Sequence, residues 1–481
     1  MSLDLVLALL ATSTVVLPLL AFGTVATLEV LGRLPNDRQL ARVAKLTFLF
    51  STTAGLAAAV VFVARGLEPL HFVFGSWFDL VPQLAHAASE NTAHATHAPH
   101  YGFELGVLVD ATSLVYLVLT SLLSGTVGAF SLRYLEGERG AGRFFELLML
   151  FAAGLSLLVL AESLDLLFIG WELVGITSAL LIAFYRERSG PVRHGLLAFA
   201  IYRVCDAALL TALVVLHHLT GTGSLPAAFA APVTVGGATA LGLLLLFAAL
   251  GKSAQYPFSG WLPRAMEGPT PSSAIFYGAL SVHAGAYLLI RTAPLWDSST
   301  IARTAIVIVG ATSAFFGTFV GRAQTDAKSS LAYASVAQVG LIFVEIGFGW
   351  TTLALVHVAG HATLRTLELL RAPSLLLDHQ RLEAELGTSV PATGAHYERM
   401  LPASLRTRLH RVALGRAGLD ALAAWLVARA STLAATGDRI DRQVAAALDR
   451  RAAFEDEILP ETEPRAIARA VPSHETAEVS R

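Results

Sequence analysis

A lysine at the end of a long apolar run is the first residue with the chemistry of an ion path. Gly237–Leu250 leads almost directly to Lys252, after which the chain is interrupted by Pro257, Gly260 and Pro263. A lysine at membrane depth costs about 2.5–3.5 kcal/mol on insertion scales, and such residues usually face a bundle interior or a wet cavity. We therefore predict a buried cation at a broken helix. The alternative is that Lys252 ends its helix and extends to the membrane interface.

Three further charged residues lie inside apolar segments. Glu172 lies in Phe168–Gly175, within a predicted span, and a membrane carboxylate without a function is uncommon. Arg203 and Asp206 occur in the next span, and their i, i+3 spacing places them on one helix face, where they can neutralise each other. The spacing leaves open whether this pair belongs to an ion path or is a structural ion pair.

The last apolar segments carry a second set of polar residues. Lys328 lies at the start of one span. Two interpretations are open for it, a proton relay and an interfacial residue. His357, His361 and Arg365 have i, i+4, i+8 spacing and stack along one helix face. Such a stack is unusual on a lipid face, so we interpret it as a polar file inside the protein.

Glu345 and His283 are two more intramembrane candidates. We favour an interface-reaching carboxylate for Glu345 and a satisfied core histidine for His283, with a role in proton movement as the alternative for each. Together the candidate residues suit proton movement, because the proton affinities of carboxylate, lysine and histidine change with desolvation and neighbouring charge. A Glu–Lys pair whose separation changes can release and recapture a proton. The sequence contains no nucleotide-binding loop, flavin motif or cysteine cluster, so the energy must come from a partner subunit or from an ion gradient.

The composition is that of a polytopic membrane protein. Of 481 residues, 54% are hydrophobic and 15% charged, with a mean hydropathy of +0.61, whereas soluble domains carry about 25% charged residues. The net charge of −2 gives no basic surface for nucleic acid. The single cysteine excludes an internal disulfide, and we expect neither a metal site nor a bound cofactor in this chain. The first apolar stretch has no basic region before it and is interpreted as a retained helix.

The apolar runs predict an all-α fold with about eleven transmembrane helices. Lysine and arginine are concentrated in alternate loops, and this bias keeps its sign along the chain. By the positive-inside rule the N-terminus lies outside and the C-terminus in the cytoplasm, for a multi-pass protein of the cell inner membrane. The predicted spans cover about 3–31, 43–64, 106–132, 144–161, 164–185, 195–217, 236–256, 271–292, 302–320, 329–349 and 352–375.

Three regions follow from this pattern. Residues 1–105 contain the first spans and an external loop at 66–105, which is rich in histidine and is interpreted as solvated rather than metal-binding. Residues 106–377 form the core of charged spans. Residues 378–481 are charged, with an amphipathic helical pattern that lies on the membrane or docks a partner, and a disordered end. The loop histidines are His71, His86, His94, His97 and His100.

Several motifs in a fixed order resemble the proton-translocating antiporter-like subunits of respiratory complex I and Mrp sodium/proton antiporters. The resemblance covers about residues 100–375. It implies a core of two inverted repeats with broken helices. The motifs are Gly170–Gly175 (GWELVG), Arg203–Asp206 (RVCD), Gly251–Pro257 (GKSAQYP), Glu267–Pro271 (EGPTP), Gln324–Lys328 (QTDAK) and Leu331–Tyr333 (LAY).

The resemblance also implies roles for individual residues. Glu172 and Lys252 form the paired carboxylate and lysine, and Lys328 is the central relay. His357 and His361 match the family's histidines on the following helix, and Arg365 stands where many members have lysine. The sequence departs from the family at Tyr277, where histidine is usual. It also lacks the later spans and the lateral helix of the largest complex I subunits.

A short core followed by a polar tail is similar to the DabB-type membrane subunits of inorganic carbon accumulation complexes. That resemblance implies a non-enzymatic transporter subunit that conducts H⁺ or Na⁺ and energises a DabA-like zinc subunit, which converts CO₂ to bicarbonate. Zinc is then expected in the partner. The alternative is a proton-pumping subunit of a complex I or Mrp-type complex. A structural scaffold with an inactive ion path is the third hypothesis.

Overall fold

The protein is a helical bundle with one small hairpin. The computed structural model describes residues 2–33, 35–79, 102–324, 326–387 and 400–419, with scattered positions up to 446. Met1–Ala417 form one compact unit and Gly418–Arg481 a second, and the description below concerns the first. Its long helices are α1 (Leu3–Val30), α2 (Asp37–Ala64), α3 (Ala111–Tyr134), α4 (Ala141–Leu160), α5 (Leu164–Ile182), α6 (Ser189–Thr220), α7 (Val235–Lys252), α8 (Thr270–Arg291), α9 (Thr300–Gly321), α10 (Ala327–Gly347), α11 (Thr351–Leu386) and α12 (Ala403–Leu414).

Ten of these helices, α1 to α10, are long and apolar enough to cross a membrane. The predicted helical membrane architecture is therefore confirmed. The eleventh predicted span corresponds to α11, which is helical but is not among the ten candidates, because His357, His361 and Arg365 lower its hydropathy. The helix α11 also continues to Leu386, past the predicted division at 377/378.

A β-hairpin replaces part of the predicted external loop. The strand β1 (Leu70–Asp79) pairs antiparallel with β2 (Gly102–Val109), in a register that places Leu70 opposite Val109. The two ends of the predicted external loop are thus paired strands, a structure that the sequence interpretation did not specify. The histidines at 86, 94, 97 and 100 lie outside the described residues.

Two interruptions break the helices near the centre of the sequence, and the sequence predicted the first of them, after Lys252. The helix α7 ends at Lys252, and the chain then continues to α8 through short turns. The helix α8 is itself interrupted by a π-helical stretch at Ser273–Ala279 and a 3₁₀ turn at Ser281–His283. Irregular backbone in a membrane protein is tolerated where protein groups satisfy it. Short elements between and beside these helices are Leu225–Ala230, Phe258–Gly260, Trp261–Arg264, Ala265–Glu267 and Ala293–Trp296.

Side chains satisfy the backbone at the first interruption. The indole of Trp261 donates to the carbonyl of Gly251 at 3.0 Å, and the amide of Tyr256 donates to the hydroxyl of Ser313 at 2.9 Å. Both Trp261 and Ser313 are fully buried. The break is therefore held in place by packed neighbours.

The helices α9 and α10 pack backbone against backbone. A Cβ atom at Gly310 of α9 would lie 2.5 Å from the carbonyl oxygen of Gly340, and one at Gly340 would lie 2.6 Å from that of Gly310. Further along the pair, Gly317 would meet the carbonyl of Tyr333 at 2.6 Å. These glycines, which we call the glycine seam, let the two helices approach more closely than any side chain would allow.

The described part of the predicted tail contains the end of α11 and then α12. The apolar side chains of α12, Leu405, Val412 and Leu414, are exposed, while Ala413 is buried against the rest of the unit. The predicted amphipathic pattern at Leu422 and beyond lies outside the described residues. The role of residues 378–481 as a membrane-lying or docking tail stays a prediction.

Candidate functional site

Lys252 is enclosed at the C-terminal end of α7. Its side chain is 1% exposed, and the ammonium donates to the backbone carbonyl of Trp171 at 3.1 Å. The same nitrogen lies 4.9 Å from the centre of a Trp171 ring and 4.5 Å from that of Tyr202, both fully buried. Aromatic faces attract a desolvated cation, so the two rings partly replace its lost hydration. Gly175 leaves the space that the ammonium needs, because a Cβ there would lie 2.5 Å from it.

A network of charges adjoins the lysine. Arg203 of α6 forms an ion pair with Glu172 of α5 and a second one, at 2.7 Å, with Asp206. The indole N–H of Trp171 donates to the other oxygen of Asp206. Among the described residues Lys252 has no direct ion pair. It is linked to Asp206 through Trp171, whose carbonyl accepts from the ammonium and whose indole N–H donates to the carboxylate. Two carboxylates, one guanidinium and one ammonium leave this network without net formal charge.

The polar residues of α11 bond to groups on two neighbouring helices. His361 Nδ1 lies 2.9 Å from His283 Nε2 of α8, with ring centres 5.0 Å apart. His357 contacts Glu345 through Nδ1 and Gln338 through Nε2, both residues of α10 and both at 2.9 Å.

Arg365, the third member of the predicted file on α11, is itself mostly buried. Its guanidinium bonds to Glu368 at 2.7 Å, three residues further along the same helix. The predicted file thus lies inside the bundle, and every member has at least one polar partner.

Lys328 lies elsewhere, in a cavity of about 410 Å³ at the start of α10. The cavity is also lined by Glu267 and His194, which contact each other at 3.0 Å, and by Asp326 and Arg416. Lys328 is half-buried there. Within the described part of the chain, Lys328 makes no hydrogen bond or ion pair with Lys252 or with the histidines of α11. Its role as the central relay stays a prediction.

Several buried polar atoms at the broken helices and on α11 have no hydrogen-bond partner among the residues that the structure describes. Groups of this kind are normally hydrated, since an unsatisfied buried hydroxyl or amide costs free energy. They belong to the segment after α7, to the interrupted part of α8 and to α11. They are Ser253 Oγ, Gln255 Oε1, Ser259 Oγ, Ser272 Oγ, Ser273 Oγ and His361 Nε2.

Two family models match the chain. One, described as NADH:quinone oxidoreductase/Mrp antiporter, TM, matches residues 161–386, which include the whole charge network. The other, described as NADH-ubiquinone oxidoreductase (complex I), chain 5 N-terminus, matches residues 96–145. The chain belongs to the antiporter-like family of complex I and Mrp membrane proteins. The resemblance expected from the motifs is confirmed at this level.

Curated relatives of this antiporter-like chain are longer than it is. It is 37% identical over 262 residues to NADH-quinone oxidoreductase subunit L of Mycobacterium tuberculosis, covering 54% of this chain and 41% of the relative. It is 32% identical over 328 residues to NADH-ubiquinone oxidoreductase chain 5 of Cryptococcus neoformans, covering 67% and 47%. The chain thus spans about half the length of these relatives or less.

Solved structures show the same architecture. The Mrp complex from Dietzia sp. DQ12-45-1b matches with a TM-score of 0.59 and 26% identity, over 82% of this chain and 39% of that one. The archaeal membrane-bound sulfane sulfur reductase matches with a TM-score of 0.61 and 17% identity, over 75% and 70%. The second likeness concerns the fold alone. The predicted antiporter-like fold is confirmed.

The structure brings together four of the predicted site residues, namely Glu172, Arg203, Asp206 and Lys252. The contacts also include residues that the sequence interpretation did not assign to the site. Trp171 immediately precedes Glu172, and Tyr202 immediately precedes Arg203. A bulky aromatic residue next to each of these membrane charges was the sequence signal that could have assigned them to the site. Glu345 and His283 were given structural interpretations, yet both bond to the histidines of α11.

Other polar clusters lie at one end of the bundle. Glu162 is fully buried and contacts His71 of β1 at 3.1 Å, and His217 contacts Asp165 at 3.2 Å. Within the described residues no group of three or more His, Cys, Asp or Glu side chains is placed to hold a metal ion.

A further ion pair closes the start of α3 against α8. Asp110, the N-cap of α3, accepts two hydrogen bonds from Arg291, at 2.6 and 3.0 Å. Burial raises the pKa of the Asp110 carboxyl, but the charge of Arg291 and hydrogen bonds from Arg291 and Ser113 outweigh it, so the pKa lies below its usual value. The carboxylate is therefore held ionised.

Proposed function

We propose that this chain carries protons through a membrane as the antiporter-like subunit of a larger complex of the complex I or Mrp kind. The observation that carries the proposal is the buried ammonium of Lys252 beside the Glu172–Arg203–Asp206 network at a broken helix. A buried charge is costly without compensation, so its proton is released or held according to the position of its counter-charges. The histidines of α11 supply further groups suited to accept and release protons.

The contacts support a specific exchange within the network. Arg203 holds both carboxylates, whereas the one hydrogen bond of the Lys252 ammonium to a described residue goes to the carbonyl of Trp171. If Glu172 leaves Arg203 and approaches Lys252, the charged form of the lysine is stabilised, so a neutral amine at this position takes up a proton and becomes the ammonium. If Glu172 returns to Arg203, the ammonium loses this partner and releases the proton.

Proton flux into proteoliposomes, measured with a pH-sensitive dye on the purified complex, tests the proposal. We expect Lys252→Ala and Glu172→Gln to lower the flux roughly a hundredfold, with normal abundance in the membrane. Lys45→Ala, which changes an exposed lysine of α2, is the control and should conduct normally. Normal flux in Lys252→Ala would leave only the scaffold hypothesis. Repeating the assay without Na⁺ separates H⁺ from Na⁺ as the carried ion.

The kind of complex is the finer part of the proposal. The relatives quoted above are named as subunits of quinone oxidoreductases, and a solved relative comes from an Mrp complex, which supports a hetero-complex of that kind. The hypothesis of an inorganic carbon complex with a DabA-like zinc subunit is therefore our second candidate. Purification in mild detergent, with mass spectrometry and zinc analysis of the co-purifying chains, separates the two. Antiporter-like or quinone-site subunits support the first, and one large zinc protein supports the second.

A further inference from the structure

The cavity that contains Lys328 is walled by four separate segments of the chain. They are the first turns of α6, the short helices after α7, the start of α10 and the turn that follows α12, and they line a space of about 410 Å³. Three of the lining side chains are basic and come from three of these segments, namely Arg264, Lys328 and Arg416. Like charges that converge on one space repel each other, so the cavity needs a source of negative charge.

The carboxylates of the cavity supply only part of this negative charge. Glu267 lies 3.0 Å from the Nδ1 atom of His194. Asp326 caps the start of α10, where it accepts a hydrogen bond of 2.8 Å from the backbone amide of Ser329. Within the described part of the chain, the Lys328 ammonium has neither an ion pair nor a hydrogen bond. Three positive side chains against two carboxylates leave one positive charge on the lining, before any proton on His194 is counted.

The turn after α12 brings Arg416 to the cavity with an unusual backbone. The helix ends at Leu414, and Arg416 and Ala417 then have φ angles of 51° and 50°, in the left-handed region. This conformation is unfavourable for side chains other than glycine, asparagine and aspartate. As a result Arg416 is half-buried in the wall of the cavity, whereas Arg411 of α12 is exposed and does not line it. Backbone strain of this kind is concentrated at ligand sites, where the surrounding structure holds it in place.

We propose that this cavity binds an anion that carries a phosphate group, held by Lys328, Arg416 and Arg264. A tetrahedral phosphate group accepts hydrogen bonds from several directions, which suits donors that arrive from three segments. Lys328 supplies an ammonium that no described protein group engages. A guanidinium has five N–H donors and also acts on an anion through its charge. The protein contacts of the two arginines, such as the 2.9 Å hydrogen bond from Arg264 to the carbonyl of Gly260, are therefore compatible with a ligand beside them.

The size and position of the cavity suit two sources of a phosphate group. Its volume lies in the range of small-molecule sites, which is about 300–1,000 Å³. The cavity lies where α6 and α10 begin, and basic pockets between the ends of transmembrane helices bind phospholipid headgroups. The phosphate group therefore belongs either to such a headgroup or to a soluble phosphate compound. This inference goes beyond the function proposed above and does not depend on it.

The test removes the charges of the cavity one at a time in the purified complex. Arg416→Asn removes the guanidinium and keeps a residue that tolerates the left-handed backbone. Lys328→Gln removes the ammonium. Arg411→Asn, at the exposed arginine five residues before Arg416, is the matched control. Titration calorimetry measures the binding of inorganic phosphate. Native mass spectrometry counts the phosphatidylglycerol molecules that stay bound after release from nanodiscs of phosphatidylglycerol and phosphatidylcholine, and thermal unfolding checks the fold of each variant.

We expect Arg416→Asn and Lys328→Gln each to weaken phosphate binding about tenfold or more, or to remove a retained phosphatidylglycerol, while Arg411→Asn matches the unaltered protein. A change in phosphate binding alone assigns the site to a soluble phosphate compound, and a change in lipid retention assigns it to a headgroup. The proposal is overturned if the unaltered complex binds neither probe, if folded Arg416→Asn and Lys328→Gln bind both normally, or if Arg411→Asn loses as much as Arg416→Asn. Because the readout is binding, the result holds whether or not Lys328 also relays protons.

Discussion

The space beside the ammonium of Lys252 can be tested with a single methyl group. Gly175→Ala would place a Cβ 2.5 Å from the nitrogen, whereas ordinary contacts begin near 3.4 Å. The ammonium must therefore move by about 1 Å. A displacement of this size strains the 3.1 Å hydrogen bond to the Trp171 carbonyl and the positions over the two aromatic rings.

The cost follows from the bond that is disturbed. A hydrogen bond to a charged group contributes about 1.5–3 kcal/mol, and each 1.36 kcal/mol corresponds to a factor of ten in rate. We expect proton flux in proteoliposomes to fall by roughly ten- to a hundredfold. The loss of stability should be smaller, because the flexible lysine can move aside.

Gly23→Ala in α1 is the matched control, since no atom lies within 4 Å of the added methyl group. It makes the same chemical change in another membrane helix. Wild-type flux in Gly175→Ala, with normal abundance, would refute the reasoning that the geometry around Lys252 controls its proton. Equal loss in both variants would instead indicate a general effect of alanine in these helices.

Two further variants test the surroundings of the site. Asp110→Asn should destabilise the protein by about 3–5 kcal/mol, because it leaves the buried Arg291 without its counter-charge. In the unaltered protein the stabilisation from the ion pair is fully present above the usual aspartate pKa of about 3.9. It is lost as the pH falls through the lowered pKa of the folded state. A Tm that does not change over this acid range would contradict the prediction. Glu345→Gln should lower proton flux about tenfold through His357 without changing the Tm, and a change in Tm alone would indicate a structural pair.

Much of the site was accessible from the sequence because charges inside apolar segments are conspicuous. Glu172, Lys252 and the Arg203–Asp206 pair needed only hydropathy and helical spacing to be found. Their arrangement was less accessible, since Arg203 bridges to Glu172 on another helix and Lys252 contacts the backbone of Trp171 rather than a carboxylate. Contacts between helices depend on rotation and depth, which one sequence does not specify.

Local departures from regular structure account for the remaining differences. The bond between His283 and His361 depends on π and 3₁₀ turns that shift the helical phase, so a count of 3.6 residues per turn could not place it. The hairpin was missed for another reason. Leu70–Asp79 is apolar enough for a strand, but its partner at Gly102–Val109 follows a long polar segment, and pairing at that separation leaves little local signal.

The glycine seam between α9 and α10 restricts how the protein can move. A slide of one residue along the axis shifts one helix by about 1.5 Å and would bring side chains against the carbonyls that now face Gly310 and Gly340. We therefore expect α9 and α10 to move together as one rigid unit. We therefore expect a rearrangement that alternates access to Lys252 to use the irregular segments after α7 and within α8 rather than a slide of α9 along α10.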